Sequence, residues 1–314
     1  MAGTTEPDDV DPCPLCAGRA TTTVWRIGYD RIWQQLHMQW AVDVPESLRT
    51  PYDAVGDAVL IACRACGLQY FSPLLPAGGE FYELLSRFYV DDRWEFGEVA
   101  ARLSGDDDVL DLGSGRGAFL MSIRETVRSV VGCDHNPAVL AGSAPFEMLP
   151  APFVDAACSR PGAFSVATSF HVLEHVADAR MILDAARLAL RPGGRLFLSV
   201  PDRERTARAA FEVFDCPPHH VSRWSAAQFA RLAAAHGWEL VRVDHEPFVH
   251  RTGRRRFVPR PVLYAAGVVK HAARRTGVQP PRGMAVGVAP DRWPRGLAVL
   301  AELRLPGVSS AAGS

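Results

Sequence analysis

The stretch DDDVLDLGSGRGAFLMSIRETV, Asp106–Val127, decides the fold. Val109 to Leu112 is a short apolar run of the kind that forms a buried strand. Gly113, Gly115 and Gly117 follow at once, and an apolar-periodic segment comes next, so the spacing predicts strand, tight turn, helix. Glycines at such a turn let backbone N–H groups come close to a ligand. Gly113, Gly115 and Ala118 also satisfy a dinucleotide fingerprint, in which an acidic residue about 20 positions on holds a ribose. Asp134, ending SVVGCD, stands there, and either kind of nucleoside ligand would use it. Asp111, just before the glycines, tips the balance. A carboxylate there would repel a pyrophosphate but pair with the ammonium group of an amino-acid-bearing cofactor.

Outward from this stretch the chain keeps a βαβ rhythm, which predicts an α/β fold. AFSVATSF reads as a strand running into HVLEHVAD. LRPGGRLFLSVPD reads as a helix end, a glycine turn and a buried strand. Asn136-Pro137 has the order of a helix start. Asp178 caps DARMILDAARLAL, whose Met181, Leu183, Ala185, Leu188 and Leu190 are expected to cover the sheet. Ser225 caps SAAQFARLAAAH, which Gly237 ends. WELVRVDHE and GLAVLAELRL read as the last two strands.

In combination, VLDLGSGRGAFL, VVGCDHNP, SFHVLEHV and LRPGGRLFLSVP resemble the class I S-adenosylmethionine-dependent methyltransferases, in that family's order and spacing. The resemblance covers roughly residues 105–245. It implies a Rossmann-like seven-stranded sheet with helices on both faces. It places the methionine moiety of the cofactor, S-adenosyl-L-methionine, against Asp111, Gly113 and Gly115 of the Gly113–Gly117 turn, and the ribose on Asp134. It asks for an acidic residue near the adenine amino group, for which Asp155 is the candidate.

The N-terminal region adds Cys13-Pro14-Leu15-Cys16 and Cys63-Arg64-Ala65-Cys66. Two residues between cysteines let both thiolates reach one ion from one turn, and Gly18 and Gly67 supply permissive backbone. Two such knuckles, Cys13, Cys16, Cys63 and Cys66, make a four-thiolate site suited to structural zinc. The long segment between them costs only about 0.8 kcal/mol more in loop closure than one of about 18 residues. Its Trp25, Trp33, Trp40 and Tyr52 are read as a small aromatic core around the metal. With this module in front, the resemblance narrows to bacterial deoxysugar C-methyltransferases and to methyltransferases of glycan and natural-product clusters. Those sugar enzymes usually carry a further C-terminal domain, which is not expected here.

FDCPPHHVSRWS, Phe214–Ser225, holds two prolines and two histidines. It follows the fifth strand of the core, where the related sugar enzymes carry a histidine-rich segment. By spacing from Trp224-Ser225 the resemblance makes His220 the catalytic histidine, with His219 beside it; Pro217 and Pro218 depart from the family pattern. His171, just past the fourth core strand, falls where the family contacts cofactor or acceptor. Glu174 and His175 are read as a structural pair. The four histidines show no sequence pattern of an open metal site.

The organisation expected is a zinc module over 1–80, a helical linker over 81–104, the methyltransferase core over 105–250, and a basic insertion, last strand and tail over 251–314. HRTGRRRFVPR, with its five arginines, is a solvated loop or a grip on a phosphate-bearing acceptor. The 314 residues carry 34 basic and 35 acidic side chains, a net charge of −1, and 48% apolar residues. That balance gives no pull toward nucleic acid or membrane. The acidic N-terminus and the absence of a long apolar run point to a cytoplasmic protein. The expected activity is methyl transfer to a small molecule; the alternative is an RNA methyltransferase that grips RNA through the zinc module.

Overall fold

The computed structural model describes residues 10–85, 92–136, 144–205, 212–247 and 295–307. The helix expected from Asn136-Pro137, the arginine-rich segment and the tail lie largely or wholly outside them.

The core strands are β4 (Asp108–Leu112), β5 (Ser129–Cys133), β6 (Glu147–Leu149), β7 (Phe164–Phe170), β8 (Leu190–Pro201), β10 (Glu239–Pro247) and β11 (Arg295–Arg304). Among the described residues they form one seven-stranded sheet in the order β10-β11-β8-β7-β4-β5-β6. The five strands from β6 to β8 run parallel, whereas β11 inserts antiparallel between β8 and β10. The chain leaves β4 toward β5 and β6, then returns to build β7 and β8 on the other side. The crevice above the carboxyl ends of β4 and β7 is therefore the switch point where ligands of open α/β sheets bind.

Val109, Leu110 and Leu112 are fully buried, as a strand covered on both faces requires. β8 starts at Leu190, so it absorbs the glycine turn expected there, with Gly193 at φ +79°. The helix α7 (Arg180–Ala189) differs from the expected phase. It buries Ile182, Leu183, Ala185, Ala186 and Ala189, while Met181 and Leu188 are 43% and 42% exposed. The alanines win that face because small side chains let the helix lie close, leaving the longer ones to solvent.

The N-terminal unit is a second, four-stranded antiparallel sheet ordered β1 (Thr21–Gly28), β2 (Asp57–Cys63), β3 (Gln69–Ser72) and β9 (Ser222–Arg223). Its last strand comes from the far end of the chain: Gln69 pairs with Arg223 and Tyr70 with Ser222. Helices α1 (Tyr29–Trp40) and α2 (Glu46–Asp53) pack on it through Tyr29, Trp33 and Tyr52, whose rings lie 5.4–5.9 Å apart. This aromatic core exists, but it does not surround the cysteines. Cys13, Cys63 and Cys66 pack instead with Leu68, Trp224 and the main sheet core, while the aromatic cluster reaches Val213 and Cys216.

Further elements are α3 (Gly79–Leu84), α4 (Trp94–Ala100), α5 (Ala118–Ile123), α6 (Phe153–Ser159) and α8 (Ala226–Ala235). Ser225 and Gln228 form a capping box at α8, and Gln228 Nε2 donates to Cys66 O at 3.1 Å. Replacing Ser225 by Ala should cost about 1 kcal/mol, read as a lower urea midpoint with an unchanged slope. No helix among the described residues is long and apolar enough to cross a membrane.

Candidate active site and metal centre

The glycine turn keeps the backbone its sequence implies. Gly113, Gly115 and Gly117 have φ of +78°, +52° and +75°. At Gly113 an added Cβ would also run into Val172, so the turn packs directly against the segment after β7. Gly113 N and Ser114 N donate to Cys133 O. Asp134, at the end of β5, accepts from Gly115 N and from Asn136 N, both at 2.9 Å. Asp111 is 3% exposed and accepts from Thr168 Oγ1 at 2.7 Å. Burial pushes its carboxyl up to about 7 against the Thr168 hydrogen bond, and the Asp134 charge adds to the rise. A buried carboxylate without a cation is the environment an ammonium group would relieve, so the turn fits an amino-acid-bearing cofactor. Asp155 is exposed in the first turn of α6.

His171 sits at the carboxyl end of β7 with φ +54°, an uncommon conformation for a non-glycine residue. Its N–H bonds Ser199 O. Its Nε2 lies 2.6 Å from Glu95 Oε1 and its Nδ1 lies 3.3 Å from Glu174 Oε1. Burial and Arg93 push its pKa down, but the Glu174 and Glu95 carboxylates outweigh them and leave it raised. Glu95, on α4, is 2% exposed and also accepts from Ser199 Oγ at 3.3 Å. The sequence reading passed over Glu95; its only signal is a carboxylate beside the apolar stripe of Trp94, Val99 and Leu103.

His219 and His220 do come to this site. Their loop is pinned by a 3₁₀ turn (Val213–Asp215), by β9, and by Trp40, whose tilted ring meets Phe214 at 4.8 Å and whose Nε1–H donates to Glu212. The Pro217–Pro218 peptide is cis. The two imidazoles stack at 4.3 Å, and His175 meets them at 4.7 and 4.8 Å. Burial holds His219 down to about 3 and His220 to about 4.

The four cysteines also meet. Cys13 and Cys66 Sγ are 3.4 Å apart, Cys16 and Cys63 Sγ 3.5 Å apart, and all four lie within 4.8 Å of one another. Zinc–sulfur bonds of about 2.3 Å give tetrahedral edges of about 3.8 Å, so these thiols fit one ion with little movement. Ala17 (φ +57°) and Gly67 (φ +72°) turn the two knuckles. Gly18 serves differently: a Cβ there would stand 3.3 Å from Cys16 Sγ.

Residues 70–243 match the model of a family described as a methyltransferase domain. The chain belongs to that methyltransferase family. Ubiquinone biosynthesis O-methyltransferase of Pseudomonas aeruginosa (strain LESB58) is 33% identical over 107 residues, which cover 32% of this chain and 46% of the relative. The Xanthomonas euvesicatoria pv. vesicatoria (strain 85-10) enzyme of the same name is 31% identical over 125 residues, 37% of this chain and 52% of its own. The chain thus spans about half the length of the curated relatives it matches. A solved SAM-dependent methyltransferase from Thermotoga maritima, described as a possible histamine N-methyltransferase, superposes with a TM-score of 0.50. It is 16% identical and covers 72% of this chain and 96% of its own, a likeness of fold alone.

Proposed function

We propose that this methyltransferase moves the methyl group of S-adenosyl-L-methionine to a small-molecule acceptor such as a sugar, a nucleotide-linked sugar or a specialised metabolite. The observation that carries the reading is the convergence of the glycine turn, buried Asp111 and the His171–Glu95 pair at one end of the sheet. The bound cofactor supplies an activated methyl on a sulfonium. Asp111 pairs with its ammonium group, Gly113 and Gly115 admit its backbone-hugging tail, and Asp134 takes the ribose hydroxyls. The four cysteines hold zinc as a closed structural site.

Proton removal from the acceptor falls to His171. Its Nε2–H donates to Glu95, which leaves the lone pair on Nδ1 and stabilises the imidazolium formed there. A base works best with a pKa near the working pH. His171 is shifted toward that range, whereas His219 and His220 are pushed far below it. The neutral imidazole is the active form, so kcat/KM should climb as pH rises through the raised His171 pKa. Glu95→Gln removes a raising carboxylate and should move that limb to lower pH. His171→Gln should cut turnover about 10²–10⁴-fold with little change in S-adenosylhomocysteine affinity. An unchanged pH profile in both variants would remove His171 from the reaction.

The acceptor class is tested by label transfer from methyl-tritiated S-adenosylmethionine into fractionated host extract. Label in small, RNase-resistant material supports the reading, and label in RNase-sensitive macromolecules replaces it with an RNA acceptor.

A further inference from the structure

The sequence separates His175 from His219 and His220 by more than forty positions, and so hides what the fold does with them. One ring nitrogen of each lies within 4.8 Å of the others. Each Nδ1 is turned toward an oxygen. That of His175 is 2.6 Å from His219 O and 3.1 Å from Tyr82 Oη, that of His219 is 2.9 Å from Phe214 O, and that of His220 is 3.7 Å from Asp215 Oδ1. An N–H at Nδ1 of His175 and of His219 fixes their tautomers and leaves the lone pair on Nε2, and the Asp215 carboxylate favours the same tautomer in His220. Metal-ligating histidines are oriented in this way, by a carbonyl or carboxylate at the far nitrogen.

A second observation points to a cation. Glu174 is 1% exposed, and neither of its carboxylate oxygens accepts a hydrogen bond among the described residues. His175 Nε2 and His220 Nε2 each stand 3.9 Å from its Oε1. His171 Nδ1, at 3.3 Å, is too poorly directed to count as a donor. A buried carboxylate with no directed donor calls for an explanation.

We propose that His175, His219 and His220 bind a divalent transition-metal ion, with Glu174 facing it as the compensating charge. Bonds of about 2.1 Å would draw the nitrogens to about 3.4 Å from one another, from a present spacing within 4.8 Å. Three imidazoles favour a first-row ion such as zinc, cobalt, nickel or iron(II) over magnesium or calcium. Unlike the four-thiolate centre, a three-histidine site leaves a coordination position open. The metal reading stands whether or not His171 is the base.

Cobalt(II) titration of untagged full-length protein tests it, because thiolate-bound cobalt shows intense sulfur charge-transfer bands and imidazole-bound cobalt does not. The expected result is cobalt bound beyond the thiolate-type amount, with visible bands free of sulfur character, displaced by zinc. The His175→Gln/His220→Gln protein should lose that extra metal alone, with thiolate bands and S-adenosylhomocysteine binding intact. His219→Gln, at a less buried position, should weaken the same site and serves if the double variant does not fold. Wild-type protein that binds cobalt only with thiolate bands overturns the proposal, as does extra metal retained at full affinity in either folded variant.

Discussion

Asp111→Asn should weaken S-adenosylhomocysteine binding roughly 10- to 150-fold, while raising the thermal stability of the cofactor-free protein. The two effects have one cause. Asp111 lies near the carboxyl end of a buried strand, holds a single hydrogen bond from Thr168, and faces no cation among its described contacts. A hydrogen bond to a charged partner contributes about 1.5–3 kcal/mol, which sets the loss when the ammonium group of the ligand meets an amide. Without ligand the same carboxylate is a burden. Its pKa is about 7 in the folded chain against about 3.9 unfolded. The folded state therefore holds its proton more tightly, and wild-type stability should fall as pH rises from about 4 to about 7 and level off above. The Asn variant lacks this contribution, so its advantage in melting temperature should be small at pH 5 and full at pH 8. Wild-type affinity for S-adenosylhomocysteine should also decline from pH 8 to pH 6 as Asp111 takes up a proton. Calorimetry and thermal melts at these pH values check both. An Asn variant with wild-type affinity would move the ammonium contact elsewhere.

Cys63→Ser should strip the thiolate-bound metal and lower the melting temperature by about 10 °C or more. Structural zinc contributes apparent energies of order 10 kcal/mol, and about 1 kcal/mol moves a domain of this size by about 2–4 °C. The damage should not stop at the knuckles. Cys66 O accepts from Gln228 on α8, Gly67 O accepts from Arg203 after β8, and β3 pairs with β9. Turnover should accordingly drop with metal content, even though none of the four knuckle cysteines is among the described contacts of Asp111. Elemental analysis, melts and rate measurements on one preparation test the linkage. Wild-type protein that is free of metal and fully stable would contradict a structural zinc site.

The parts of the site that were legible in the sequence are those whose chemistry is local. A glycine at positive φ, or two cysteines in one turn, announces itself within a few residues, and the structure keeps Gly113, Gly115, Gly117 and both knuckles together. The alternation of strands and helices along the core follows from the same local rhythm. What escaped depends on which distant segments share a space. Glu95 looks like any helix carboxylate until α4 is laid across Ser199 and His171. Glu174 and His175 read as a support pair because nothing local says that His219 and His220 arrive beside them. The inter-knuckle aromatics were assigned to the metal because the two are neighbours in sequence. In space, β1, α1 and α2 place them on the other face of the small sheet. The phase of α7 was missed because a count of large apolar residues favours Met181 and Leu188, whereas close packing favours the alanines.

The pairing of β9 with β3 has a consequence for how the molecule must be made and dissected. A two-residue strand has no stability of its own, so the histidine loop acquires its shape only when the N-terminal sheet is already there to receive it. During synthesis that sheet emerges first and waits as an open edge for residues made some 150 positions later. Cutting the chain between the two units would free neither of them. The N-terminal fragment would keep an unpaired edge of the sort that invites aggregation, and the remainder would carry its imidazoles on a slack tether. The two units are therefore expected to unfold in one transition rather than to come apart as separate modules.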